Sequence, residues 1–327
     1  MKAVEAISLS KMYSDFYAVD SISFDVDEGQ IFGLLGPNGA GKTTTIRMAL
    51  TLIKPTSGTI KVFGIDCVRS AASVRQISGY VPQEVSIDVD LTGYENLLMY
   101  AKLYYIPKAE RAKRISDGLQ YMDLSDRQND VAKTYSGGMM RRLEIAQALM
   151  NRPKMLFLDE PSIGLDPSAK TAVWNNIMHL RDEFGTTILV TTHDMHEADV
   201  LCDEIAIMNK GKIVADGSPK ELKASVGGDV ISLVAHNGDC TQILQEHGEL
   251  LVSKPDLGIY ELVVTEGEKA IPAVLESLEK HSMRVESVSL KKSTLDDVFL
   301  KYGGARIQDS GTGREARRMR RAVRKRG

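Results

Sequence analysis

The stretch GPNGAGKT, Gly36 to Thr43, constrains the fold of this chain more than any other. Its glycines, lysine and threonine can only converge on one anion if a strand delivers the loop and a helix leaves it, with the helix N-terminus facing the anion. Both flanks qualify. SISFDVDEGQIFGLLG alternates and then becomes a continuous apolar run that feeds the glycines, and the residues from Lys42 to Leu52 read as helix. Further along, KMLFLDEP and TTILVTTHD are short, apolar and β-rich, separated by an amphipathic helix from about Ser168 to Glu183. Buried parallel strands joined by crossover helices are the expectation, an α/β sheet of the phosphate-loop NTPase type. AVEAISLSKMY and TSGTIKVFGIDC add strands, and about Glu95 to Met122 adds helix interrupted at Pro107.

The loop Gly36, Pro37, Asn38, Gly39, Ala40 and Gly41 would wrap a β-phosphate, its glycines letting successive N–H groups converge there, with Thr44 in the first helical turn. Lys42 would place its ammonium against β- and γ-phosphate oxygens, and Thr43 its hydroxyl on Mg²⁺. MLFLDEP supplies the matching acids at a strand end. Asp159 is expected to hold the Mg²⁺ shell, and Glu160 to accept a proton from the water that attacks the γ-phosphate. A second glycine pair, in KTYSGGMMRRLEIAQALM, opens another helix. Ser136, Gly137 and Gly138 make an anion site there, but no lysine accompanies it. Met139, Met140, Leu143, Ile145 and Ala146 read as the packing side of that helix.

Five features now stand in one order: GPNGAGKTT, VPQ, YSGGM, LDEPSIGLDP and TTHD. That set resembles the nucleotide-binding domain of ATP-binding cassette (ABC) proteins over roughly residues 1–220. The resemblance implies a parallel-sheet core with an antiparallel β subdomain and a helical subdomain, binding ATP with Mg²⁺. It assigns Gln83 to the glutamine that bridges metal, attacking water and the membrane-domain contact, Asp166 to the D-loop aspartate, and His193 to the switch histidine that senses the γ-phosphate. It places Tyr13 beneath adenine, with Tyr17 the competing ring; stacking on a base contributes about 1–3 kcal/mol. It also explains the missing lysine. In the family two cassettes pack head to tail, so the signature of one closes over the γ-phosphate held by the other. A homodimer or paired cassette is implied, in which Ser136, Gly137 and Gly138 matter only in the dimer. Against the common family signature LSGGQ, this chain has Tyr135 for Leu and Met139 for Gln, so Met139 is expected to tune how firmly the dimer closes.

The cassette, a small α+β domain of split βαβ kind and STLDDVFLKYGG together resemble drug-resistance export ATPases, which work with a separately encoded ABC-2 membrane permease at the cytoplasmic face of the membrane. A soluble, non-transport ABC ATPase, for example of the iron–sulfur assembly type, is the other reading. A kinase or GTPase would have no use for YSGGM or TTHD. The expected division is a nucleotide-binding domain at 1–225, the α+β domain at 229–303 and a basic tail at 304–327; a length of 327 residues suits two cores better than one.

Charge separates the tail from the body. The net charge is −3, but residues 306–327 carry +7, leaving −10 on residues 1–305. An acidic body argues against nucleic-acid binding. In the tail, Ala316, Met319 and Val323 would share one helical face among arginines, a pattern able to meet anionic lipid, with a solvated, disordered tail as the other reading. No apolar run approaches the ~18 residues of a membrane span, so a peripheral, cytoplasmic protein is expected. Cys67, Cys202 and Cys240 are scattered without metal-ligand spacing and read as buried thiols.

Overall fold

The computed structural model describes residues 1–303; the basic tail and its proposed lipid-facing helix lie outside the described residues. Contacts divide the described chain at Gly217 into two units.

The first unit begins with a β-rich layer. Strands β1 (Lys2–Tyr13) and β2 (Phe16–Asp27) form a long antiparallel hairpin, twisted by bulges, whose alternation buries Val4, Ala6 and Leu9. The five residues of β3 (Ile31–Leu35) are all buried, and they lead through the glycine loop into α1 (Lys42–Ala49). That helix stops short of Leu52 because Leu50 leaves helical geometry and Thr51 turns left-handed, φ 63°. Next come β4 (Ser57–Val62) and β5 (Ile65–Asp66), which complete the sheet β2-β1-β4-β5, then α2 (Ala71–Ile77) and β6 (Ser78–Val81).

A helical segment follows. In α3 (Gly93–Leu103), Thr92 and Glu95 form a capping box. Pro107 breaks the run and becomes the N-cap of α4 (Lys108–Tyr121), and α5 (Gly137–Leu149) starts from Ser136. The chain then alternates: β7 (Met155–Asp159), α6 (Pro167–Phe184), β8 (Thr187–Thr192), α7 (Met195–Leu201), β9 (Glu204–Asn209) and β10 (Lys212–Gly217). Asp166 caps α6, Pro167 takes its first position and Gly185 ends it at φ 62°. The large sheet has the order β10-β9-β3-β8-β7-β6, with β9, β3, β8, β7 and β6 parallel.

Every residue of β3, β7 and β8 is buried, which explains their near-continuous apolar sequence. Truncating one of their large side chains, Phe157 for example, would cost about 3–5 kcal/mol. This parallel arrangement positions the site. The segments leaving β3, β8, β7 and β6 are the glycine loop, His193, Glu160 and the Pro82–Gln83 turn, all at the carboxyl edge where open α/β sheets bind ligands.

The second unit, residues 217–303, opens with α8 (Pro219–Ser225), started by a Ser218–Glu221 capping box. It continues as β11 (Asp229–His236), α9 (Thr241–Gln245), β12 (Glu249–Lys254), β13 (Ile259–Val264), α10 (Gly267–Lys280), β14 (Arg284–Lys291) and α11 (Leu295–Gly303). Its sheet order is β12-β13-β11-β14 with antiparallel neighbours, the split βαβ arrangement. Ile231, Leu233, Tyr260, Leu262 and Leu278 make its own core. Among the described residues no helix is long and apolar enough to cross a membrane, and all three cysteines are buried free thiols.

Candidate active site

The glycine loop can be built only from glycine at two positions. Gly36 has φ 158° and a Cβ there would lie 2.2 Å from the Met208 carbonyl oxygen; Gly41 has φ 110° and a Cβ would lie 2.4 Å from that of Ala18. Between them, Ala40 N donates to Pro37 O at 3.1 Å and Ala40 O accepts from Gly211 N at 3.0 Å, which pins the loop to the following strands. Gly41 is the N-cap of α1 and offers no side-chain cap. The N–H groups of the first turn, Lys42, Thr43 and Thr44, are therefore open to an anion.

Lys42 is only 4% exposed. Its ammonium donates to Gly36 O at 2.7 Å and Pro37 O at 3.3 Å, and lies 3.2 Å from Glu160 Oε1. The other carboxylate oxygen, Oε2, is 3.0 Å from His193 Nδ1. Glu160 has φ 50°, an uncommon backbone for a non-glycine residue, and its N–H donates to Thr191 O and Oγ1. Burial alone would push the Glu160 carboxyl up, but the hydrogen bond from His193 and the charge of Lys42 outweigh it and leave it below the usual range. Burial lowers the Lys42 ammonium against the pull of Glu160. The hydrogen bond to Glu160 raises His193 against its partial burial.

Asp159 ends β7 beside this group. Its Oδ1 accepts from Thr43 Oγ1 at 3.1 Å and Thr191 Oγ1 at 2.5 Å, while Oδ2 is buried with no partner. An orphaned carboxylate oxygen beside a threonine hydroxyl fits a hard divalent cation that takes oxygen ligands and retains water.

The second glycine pair is differently placed. Ser136 and Gly137 are exposed at the start of α5, and the Ser136 hydroxyl accepts from Met139 N at 3.3 Å. No hydrogen bond links Ser136 to Lys42 or Glu160 within the chain. One expectation needs correcting: Gly138 is not reserved for a dimer contact. It is buried against α6, where an added Cβ would sit 2.8 Å from Ala169 Cβ. Asp166 caps α6 through Ala169 N, 3.0 Å, and accepts from Ser168 Oγ, 2.7 Å. Tyr135 is anchored inward: its hydroxyl donates to Arg127 O at 2.7 Å and occupies the space a Cβ on Gly93 would need.

Lys42, Thr43, Asp159, Glu160 and His193 thus meet in one place. Gln83 is exposed after β6, outside their hydrogen bonds, and Tyr13 is exposed at the end of β1 with Lys11 Nζ 5.1 Å from its ring centroid. Tyr17 is equally exposed. Met139 and Met140 are half-buried, whereas Leu143, Ile145 and Ala146 are fully buried.

Three groups escaped the sequence reading. Thr191 bridges Asp159 and Glu160. Glu197 is buried and accepts from the sole tryptophan, Trp174 Nε1, at 2.9 Å; burial raises its carboxyl against hydrogen bonds from Thr192, Ser162 and Trp174. Arg141 and Glu144 pair inside α5 at 2.9 Å, both buried. The signal available was opposite charges at i and i+3 in RRLE, a spacing that usually marks a solvated helix face.

A family model described as ABC transporter matches residues 19–163, and one for the C-terminal domain of DrrA1-3-like ATP-binding proteins matches residues 217–302. Among curated relatives, the daunorubicin/doxorubicin resistance ATP-binding protein DrrA of Streptomyces peucetius is 38% identical, covering 95% of both chains. The linearmycin resistance ATP-binding protein LnrL of Bacillus subtilis is 34% identical over 94% of this chain and 100% of its own. The Nod factor export ATP-binding protein I of Cupriavidus metallidurans is 36% identical over 92% and 97%. Among solved structures, CbiO1 of Clostridium perfringens, part of an ABC transporter complex, aligns with a TM-score of 0.65 at 28% identity, over 68% of this chain and 91% of its own. A dimeric ATP-binding cassette in a post-hydrolysis state with ADP and Pi aligns with a TM-score of 0.59 at 26% identity, over 66% and 98%. The chain belongs to the ABC transporter family, as an ATP-binding and ATP-hydrolysing subunit.

Proposed function

We propose that this chain is the ATP-driven motor of an ABC-2 type exporter of drugs or other small lipophilic molecules, docked on a separate membrane permease at the cytoplasmic face. Two cassettes work head to tail, each completing the other's nucleotide site. The observation that carries the reading is the split of phosphate-binding groups: a lysine-bearing cradle joined to an acid, and an exposed glycine helix start without a cation. Relatives named for drug resistance and for export favour a transporter over a soluble ATPase.

In this reading the loop from Gly36 to Gly41 and the first turn of α1 bind the phosphates, while Tyr13 stacks on adenine. Thr43, Asp159 Oδ2 and Gln83 would hold Mg²⁺, which supplies charge neutralisation on the β- and γ-phosphate oxygens. Lys42 turns from Glu160 to the phosphates. Glu160 then accepts a proton as water attacks the γ-phosphorus; the bond to the β–γ bridging oxygen breaks, leaving ADP and phosphate. His193 holds the carboxylate and donates toward the γ-phosphate. Ser136 and the N–H groups of Gly137 and Gly138 meet that γ-phosphate from the partner cassette, and Asp166 lines the junction.

The test is isolation of the native complex carrying Glu160→Gln with Mg-ATP. The proposal expects a dimeric cassette with an integral membrane protein bound; a chain that copurifies with ribosomes or a soluble scaffold complex would overturn it.

A further inference from the structure

Arg141 lies within the second turn of α5, 6% exposed, and every side of its guanidinium is engaged. Nε donates to Pro161 O at 2.8 Å and Nη2 to Glu160 O at 2.9 Å. Nη1 donates to Pro82 O at 2.6 Å and to Glu144 Oε2 at 2.9 Å. Glu144 Oε1 in turn accepts from Ser86 N at 2.6 Å and Ser86 Oγ at 2.9 Å. The Arg141–Glu144 pair therefore grips the Gln83 loop on both flanks, Pro82 on one side and Ser86 on the other. It also grips the carbonyl of Glu160, the residue held at φ 50°, whose N–H is held by Thr191.

A buried ion pair is a costly way to brace a helix, because both charges lose water. Here its spare donors and acceptors all end on two segments, those that carry the base and the metal-bridging glutamine. The same helix begins at Ser136, the half-site offered to a partner.

We propose that Arg141 is a positioning residue, coupling the signature helix to the base: its guanidinium sets the Glu160 backbone and the Gln83 loop in register with α5, so that engagement of Ser136 by a partner's nucleotide is transmitted to the chain's own base. The transmission rests on the head-to-tail reading; the positioning of Glu160 does not. Lysine could keep the charge but not the fork that reaches acceptors on opposite sides.

The test uses the full chain with Arg141→Lys. Its kcat for ATP should fall on the order of 10²-fold, the scale of a base misplaced by about 1 Å, with KM changed less than about twofold. Glu160→Gln with Arg141→Lys should dimerise with Mg-ATP as Glu160→Gln does alone. An unchanged kcat, or a kcat loss matched by KM, overturns the proposal. If Glu160→Gln alone stays monomeric with Mg-ATP, the head-to-tail reading fails and the transmission with it, while the split between kcat and KM still decides the positioning. Should Arg141→Lys not fold, Arg141→Met with Glu144→Leu removes both buried charges together and must give the same kcat loss with KM little changed.

Discussion

The glycine loop before α1 and the glycine pair before α5 are both helix starts that expose N–H groups, yet their surroundings are opposite. At α1 the site is enclosed: Lys42 and Glu160 are 4% and 5% exposed, and Gly36 and Gly41 each lie against a neighbouring backbone carbonyl. At α5 the N-terminus is open, Ser136 and Gly137 are exposed, and the only side chain that caps it is that of Ser136 itself. Binding strength and control therefore sit at different helix starts. A preorganised, water-poor cradle makes charge count for more, so the first region is the one expected to hold nucleotide alone. A solvated helix start adds little by itself and gains force only when a second surface excludes water from it.

Substitutions can break this contrast. The largest effect is expected for Glu160→Gln, which should lower kcat by about 10²–10⁴-fold and keep nucleotide bound, as measured by steady-state hydrolysis beside a binding titration. Gly138→Ala tests whether the second region is purely a docking surface. Crowding Ala169 should destabilise the isolated chain by about 1–3 kcal/mol in denaturant unfolding, whereas Gly137→Ala, 3.3 Å from a movable Leu165 methyl, should cost much less. Ser136→Ala removes the α5 cap and should cost about 1 kcal/mol of stability, leaving the nucleotide affinity of the single chain unchanged in an equilibrium titration.

The smallest effect is a pH dependence. Glu160 has a lowered carboxyl, so its contribution is present above the unfolded carboxylate value and lost as pH falls through the folded one. His193 is raised, so its contribution is complete below the unfolded histidine value of about 6.5 and lost as pH rises through the higher folded value. Melting temperature should therefore decline slightly more in the wild type than in His193→Ala as pH passes from about 6.5 to 8.5; the ring is 38% exposed, which keeps the difference small.

Much of the first region was legible in the sequence, because a phosphate loop announces itself in consecutive residues and buried parallel strands leave unbroken apolar runs. MLFLDEP told both where a strand ends and which acids stand there. The second βαβ unit was legible from alternation in VISLVAH and IYELVVTE. What the sequence left out comes from residues distant in the chain. That Gly138 faces Ala169 depends on how α5 lies against α6, and that Tyr135 needs Gly93 depends on α3. Arg141 was hidden by a different cause: RRLE has the look of a solvated helix, and only the approach of Pro82, Glu160 and Pro161 carbonyls reveals a buried hub. Gln83 and Tyr13 were assigned by resemblance, and both stand exposed at the margin.

The proposal that one nucleotide site is made by two chains is tested by sedimentation of the Glu160→Gln chain, alone and with Ser136→Glu added, in Mg-ATP and in Mg-ADP. An ATP-dependent dimer that Ser136→Glu abolishes is expected, with the ATP affinity of the single chain unchanged. A chain that remains monomeric in Mg-ATP, or a Ser136→Glu chain that dimerises as before, would contradict it.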